Sequence, residues 1–260
     1  MTARIRMPSA FPVVPFFAAL LLLSPLSPGA AQSISRLTIE LEAGPVWQSR
    51  NKVQIPNDPS GTRFSLEEVA GRGPWPSGRA YVTWNLDRRH SLRALLAPLS
   101  ITETGAIPGE VRFAGETFRP HRPVEATYQF NSWRLGYGYR FMDREDVSLW
   151  VGFTAKLRDA KVELRQDETS ARDTDLGFVP LLFLAGDKRL APRWRLRFDF
   201  DGLAGGPGRA FDAALKLHHD LGDRWGITAG YRTLEGGADV ESVYNFAWLH
   251  YGVVSGVFRW

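Results

Sequence analysis

Along most of the chain, apolar and polar positions alternate with period two in segments of about ten residues, separated by turn-forming or irregular stretches. Ten such segments are legible, at 37–47, 79–86, 92–102, 124–141, 147–162, 176–185, 194–203, 209–217, 225–233 and 243–260. In the second, Ala80, Val82, Trp84 and Leu86 alternate with Arg79, Tyr81, Thr83 and Asn85. In the seventh, Trp194, Leu196, Phe198 and Phe200 alternate with Arg195, Arg197, Asp199 and Asp201. Successive strand side chains point to opposite faces, so each segment predicts a strand with one apolar and one polar face. Pro98 interrupts the third segment and predicts a bulge or register change. Residues 209–221 read either as a strand or as a short amphipathic helix, because Phe211, Leu215 and His218 precede Gly222 at helical spacing.

The connections sort these strands. Those after strands two, four, six and eight are short and rich in Asp, Arg and Gly: 87–90, 143–146, 187–192 and 220–224. Those after strands one and three are long, 48–78 and 103–123, and the remaining odd connections shorten toward the C-terminus. Successive connections of an antiparallel barrel fall on opposite rims, so this alternation predicts one rim of short turns and one of long loops. Strands of about ten residues suit a tilted bilayer crossing. No run after Gln32 approaches the roughly 18 apolar residues of a membrane-spanning helix. The predicted fold is therefore all-β, an antiparallel transmembrane up-and-down β-barrel of ten strands, with eight or twelve as the alternatives. A soluble barrel with its apolar face inside would show the same period. The aromatics near segment ends, Trp84, Trp133, Tyr137, Tyr139, Phe141, Trp194, Trp225 and Tyr231, favour interfacial girdles and hence the membrane form.

At the N-terminus, Arg4 and Arg6, an apolar stretch and the small residues Gly29-Ala30-Ala31 form the pattern of a secretory signal peptide over 1–31, which leaves a barrel domain at 32–260. Both charges of that leader are positive, so its removal lowers the formal net charge from +4 to +2, a balance that does not support nucleic-acid binding. The absence of cysteine excludes thiolate nucleophiles, zinc-thiolate centres and iron-sulfur clusters.

With its leader, its alternation of strand and turn, and its ending Gly256-Val257-Phe258-Arg259-Trp260, the chain resembles the bacterial outer-membrane β-barrel class. The resemblance implies an outer-membrane location, a bilayer and lipopolysaccharide environment, and recognition by the barrel-assembly machinery through Phe258 and Trp260. Within the class it resembles an uncharacterised family of about this length through Gly44-Pro45-Val46-Trp47-Gln48, Leu99-Ser100-Ile101-Thr102-Glu103-Thr104 and Ala229-Gly230-Tyr231-Arg232, which implies no activity. Gly252 and Gly256 share parity with Trp260 where apolar side chains are expected, which leaves the facing of the last strand open.

Strand parity places Arg79, Arg93, Arg134, Arg140, Lys156, Arg158, Arg195, Arg197, Lys216 and Arg232 inside the barrel with Glu40, Glu42, Asp199, Asp201 and Asp212. Ten cations against five anions predict a net-basic lumen. It is either a structural salt-bridge lattice or a small porin-like conduit favouring small anions. Hydrolase and adhesin are the alternative functions. The histidines, His90, His121, His218, His219 and His250, include no pair at helical metal-ligand spacing, and neither a metal nor another cofactor is expected. Asp199-Phe200-Asp201 is superficially similar to the paired aspartates of omptin proteases but lacks an Asp-x-His partner. A lipid-modifying site would need Ser and His on one face; Ser242 or Ser255 beside His250 does not make a triad. No catalytic constellation is expected. The loops carry Phe64, Leu66, Val69 and Trp75, which could fold over the barrel mouth, and 109–121 could serve surface binding.

Overall fold

The computed structural model describes residues 36–260; the expected leader lies outside them. In chain order the elements are β1 (Leu37–Gln54), β2 (Phe64–Ser65), α1 (Leu66–Val69), β3 (Trp75–Asn85), β4 (His90–Ala97), β5 (Ser100–Ala106), β6 (Val111–Phe113) and β7 (Glu116–Phe118). Then come β8 (Pro123–Asp143), β9 (Val147–Gln166), β10 (Thr169–Ala191), β11 (Trp194–Gly205), β12 (Gly208–Asp220), β13 (Trp225–Val240) and β14 (Val243–Arg259). The strands pair antiparallel in the order β1-β3-β4-β8 and then consecutively to β14, with β5 also on β8, and β14 pairs with β1 from Thr38 opposite Arg259 to Gln54 opposite Tyr244, which closes the sheet. With β4 and β5 counted as one interrupted strand, the barrel has ten strands.

Closure abolishes the sheet edge, and strands of this alternating composition have only one way to satisfy their backbones in hydrocarbon. The outward face is the apolar one. Leu41, Leu135, Phe153, Leu176, Phe178, Leu182 and Val254 are each more than half exposed, while Glu42, Arg79, Arg134, Asp201, Asp212, Lys216 and Arg232 are buried. A barrel dissolved in water would reverse that arrangement, so the solvent of the outer face is lipid. Trp84, Phe141, Trp194 and Trp225 stand exposed near the rim of short turns. On that rim the Asp87 carboxylate accepts the backbone N–H groups of Arg89 and His90 at 2.7 and 2.8 Å, bonds that hold it below the usual carboxylate range.

Three expectations change. At Pro98 the ladder lapses but its register survives: Ala97 faces Ser132, Ser100 faces Gln129, and the Asn131 Oδ1 accepts the Leu99 N–H at 3.1 Å where the sheet bond is lost. Residues 209–221 contain strand β12, because their alternate side chains Asp212, Lys216 and His218 find partners inside the barrel, which a helix could not offer. The stretch 163–175, expected as loop, is ladder out to Gln166 opposite Thr169, and β13 and β14 pair as far as Val240 opposite Val243. Along this extension the outward face of β9 is ionic, Glu163 pairing with Lys161 and Arg165, its neighbours two positions away on the same strand, while Val162 and Leu164 point into the barrel.

The two long connections fold inward at the loop rim. Leu66 and Val69 of α1, Ile107, and Phe113 and Phe118 of the β6–β7 hairpin are buried together with Val53, Val124, Leu164, Leu249, Tyr251 and Val253 from the wall. This settles the last strand: Leu249, Tyr251 and Val253 point in because an apolar plug awaits them, and Gly252 and Gly256 lie on the outer face with His250 and Val254.

Close strand packing sets one test of the wall. A Cβ on Gly152 would lie 1.9 Å from the Tyr137 carbonyl oxygen, whereas one on Gly256 would meet nothing within 4 Å. Gly152→Val is expected to abolish the compact, heat-modifiable species on cold SDS gels, and Gly256→Val to retain it.

Candidate functional site

All fifteen charges expected in the lumen lie on barrel strands, and the structure brings most of them into one lattice. Its centre is Asp212 on β12, whose Oδ2 accepts Arg79 at 2.8 Å and Arg134 at 2.7 Å while Oδ1 accepts Arg232 at 2.6 Å. Asp201 on β11 stands directly opposite Asp212 in the sheet, a like-charge pair that would repel if left alone. Arg134 resolves the repulsion by donating one nitrogen to each carboxylate, at 2.8 Å to Asp201. Thr154 gives Asp201 a further bond at 2.6 Å. Around this core Glu42 accepts Arg232 at 3.2 Å and Lys216 at 3.1 Å, Lys216 also reaches Glu40 at 2.5 Å, and Arg93 reaches Asp199 at 2.5 Å.

Tyr81 completes the centre. Its ring lies 5.5–5.9 Å from the charged groups of Arg79, Arg93, Lys216 and Arg232, so one buried aromatic presents its electron-rich surface to four cations. Parity had put Tyr81 on the polar face, but nothing in its neighbourhood in sequence marked it as a hub.

A second layer lies toward the turn rim. Arg195 and Arg197 both donate to Asp187, at 2.9 and 3.2 Å. Asp220 accepts Arg259 and His218, the latter at 2.9 Å. Arg140 pairs with Asp143 at 3.1 Å, and on the opposite side, toward the loop rim, Arg158 pairs with Asp175.

The expected set of lumen carboxylates is incomplete. Nine of the ten expected cations form ion pairs, with Asp143, Asp175, Asp187 and Asp220 supplying carboxylates beyond the five expected. The alternation places those four in turns or loops, because their strands extend further than it does. Lys156 is the tenth; it is buried, its ammonium 4.6 Å from the Phe130 ring, with no ion pair among the described residues.

The remaining candidates are distributed. Phe258 faces outward against Trp225 with ring centroids 4.7 Å apart, and Trp260 is exposed at the turn rim. His218 is enclosed in the lumen, His219 packs on Trp194 at the outer surface, and His90 bonds Tyr137 at 2.6 Å. Among the described residues no three His, Cys, Asp or Glu side chains gather as a metal site. Ser255 is buried inward, away from His250. His250 instead meets Ser49 and Tyr231 on the outer face, a juxtaposition that sequence could not disclose because it joins β1 to β13 and β14 across the closure.

No family model and no curated protein sequence matches the chain. Solved structures do. The outer membrane protease OmpT from Escherichia coli superposes with TM-score 0.53 at 10% identity, over 88% of this chain and 99% of that one. The translocator domain of the autotransporter NalP from Neisseria meningitidis gives 0.41 at 13% identity, over 88% and 90%. The attachment invasion locus protein Ail of Yersinia pestis gives 0.38 at 10%, over 86% and 99%. Closed by β1 on β14, greasy outside and ionic within, this chain has the fold of the bacterial outer-membrane β-barrel proteins.

Proposed function

We propose that the protein is a sealed outer-membrane scaffold, whose lumen is structural and whose working surfaces are its outer wall and loop rim. The observation that supports this most is the sharing of carboxylates: Asp212 and Glu42 each accept from cations on more than one strand, so the interior is cross-braced and not lined. A conduit needs charges that face water and can exchange partners with a passing ion. Here guanidinium groups hold their carboxylates in fixed forks, and the apolar plug of the folded loops sits over them. Its environment is the bilayer with its lipopolysaccharide leaflet, reached through the barrel-assembly machinery by way of Phe258 and Trp260.

Planar-bilayer recording tests this. The purified full-length protein is expected to give no conductance steps in potassium chloride, and Arg195→Ala with Arg197→Ala is expected to give none either. Reproducible anion-selective steps from the wild-type protein would reinstate the conduit.

A further inference from the structure

Neither the lattice nor the wall accounts for one group of side chains on the outer face. Ser49 is the extra residue of a bulge in β1, where pairing with β14 steps from Gln48 opposite Leu249 to Arg50 opposite Trp248. Bulges re-aim side chains, and this one sends the Ser49 hydroxyl to within 2.8 Å of Nε2 of His250 on β14. The other ring nitrogen, Nδ1, lies 2.5 Å from the hydroxyl of Tyr231 on β13. Trp47 stacks on the imidazole at 5.8 Å and Trp248 leans on it at 5.4 Å, which fixes the plane of the ring. Three strands thus place a hydroxyl, an imidazole and a phenol in the order of nucleophile, base and orienting group.

The location is informative. Outward residues of β1 are apolar from Leu41 through Ala43 and Pro45 to Trp47, and beyond Ser49 come Lys52 and Gln54. Ser49 therefore stands where the hydrocarbon belt gives way to polar side chains, flanked by tryptophans of the kind that sit at headgroup level. That is the depth of the ester bonds joining acyl chains to lipid headgroups. A depression of about 500 Å³ beside it is lined by Trp47, Ser49, Arg72, Gly73 and Pro74. Its far wall is fixed to the bulge by Gln48, whose side chain donates to the Gly71 carbonyl at 2.6 Å and whose backbone N–H donates to the Arg72 carbonyl at 3.0 Å. Arg72 brings a cation suited to a lipid phosphate or to negative charge developing on a carbonyl oxygen. Mutual satisfaction of three polar groups would be a purely structural reading. It explains neither the bulge nor the depression, and apolar side chains such as Val254 serve the wall elsewhere at no polar cost.

We propose that Ser49, His250 and Tyr231 form a serine-hydrolase site for acyl esters of outer-leaflet lipids. In the productive tautomer Nδ1–H of His250 donates to the Tyr231 oxygen, and Nε2 takes the Ser49 hydroxyl proton as Oγ attacks the ester carbonyl carbon. Collapse breaks the ester C–O bond, the leaving alcohol takes the proton from His250, and the acyl group stays on Ser49. A water at the interface then attacks the acyl-enzyme, gives its proton through His250 to Oγ, and releases the fatty acid. This site is independent of whether the lumen conducts.

The test uses the purified full-length protein in two arms, phosphatidylethanolamine–phosphatidylglycerol vesicles and lipid A micelles, with fluorophosphonate labelling read by mass spectrometry. Fatty acid release in at least one arm and labelling at Ser49 are expected, and both fall to background in Ser49→Ala and His250→Ala that keep the folded gel mobility. Tyr231 is a positioning residue, so Tyr231→Phe is expected to lower kcat about tenfold with KM unchanged. No release in either arm, or release undiminished in Ser49→Ala, would overturn the proposal.

Discussion

Replacing Asp212 by Ala is expected to cost the barrel about 3–5 kcal/mol, the range for breaking a buried ion pair by removing one partner. The carboxylate serves Arg79, Arg134 and Arg232 at once, and its loss is unevenly compensated. Arg134 keeps Asp201 and Arg232 keeps Glu42, but Arg79 retains only a 3.9 Å approach to Glu42. The uncompensated charge is therefore chiefly that of Arg79. It follows that Arg79→Met should recover part of the loss in an Asp212→Ala background, while destabilising the wild-type protein by leaving Asp212 with one donor fewer. Urea unfolding in phospholipid vesicles, followed by tryptophan fluorescence, measures all four members of the cycle. Additive effects of the two substitutions would show that Asp212 acts through the strand and not through the lattice.

How far the sequence discloses this lattice depends on the range of each interaction. Parity along a strand is local, so the inward placement of Arg79, Arg134, Lys216 and Arg232 could be read from their own neighbours. Which carboxylate each would meet could not, since Arg134 is 78 positions from Asp212 and Glu42 is 190 from Arg232. Strand ends are hidden in the sequence for a physical reason. An apolar outward face persists only where lipid solvates it; beyond that belt β9 carries Asp159, Lys161, Glu163 and Arg165 outward over inward Val162 and Leu164, and β10 carries Arg172, Asp173 and Asp175. Asp175 was lost from the expected lumen set for that reason; Asp187, still within β10, was assigned to the turn that follows it. The loop residues Leu66 and Val69 were visible as apolar, but the plug they form with Phe113 and Phe118 depends on two loops meeting inside a closed wall. The Ser49–His250–Tyr231 group was the least legible, because it needs both the closure and a one-residue bulge.

The same belt gives the sharpest test of what solvates the wall. Leu135 on β8 is 60% exposed, with Trp133 toward the loop rim and Tyr137 toward the turn rim on the same outward face. Ala155 and Phe153 of β9 lie beside this stretch, opposite Leu135 and Tyr137 respectively, so the position is near the middle of the apolar band. In water, Arg at an exposed strand position on an antiparallel sheet would be close to neutral and would improve solubility. Facing hydrocarbon, the guanidinium must be dragged to an interface or bring water with it, and the cost at the bilayer midplane is about 2–4 kcal/mol. Leu135→Arg is therefore expected to lower unfolding stability in vesicles by that amount, while Lys52→Arg, beyond the polar boundary on β1, changes it little. Equal small effects at the two positions would mean that water, and not lipid, covers Leu135, and the inversion of polar and apolar faces would then need another cause.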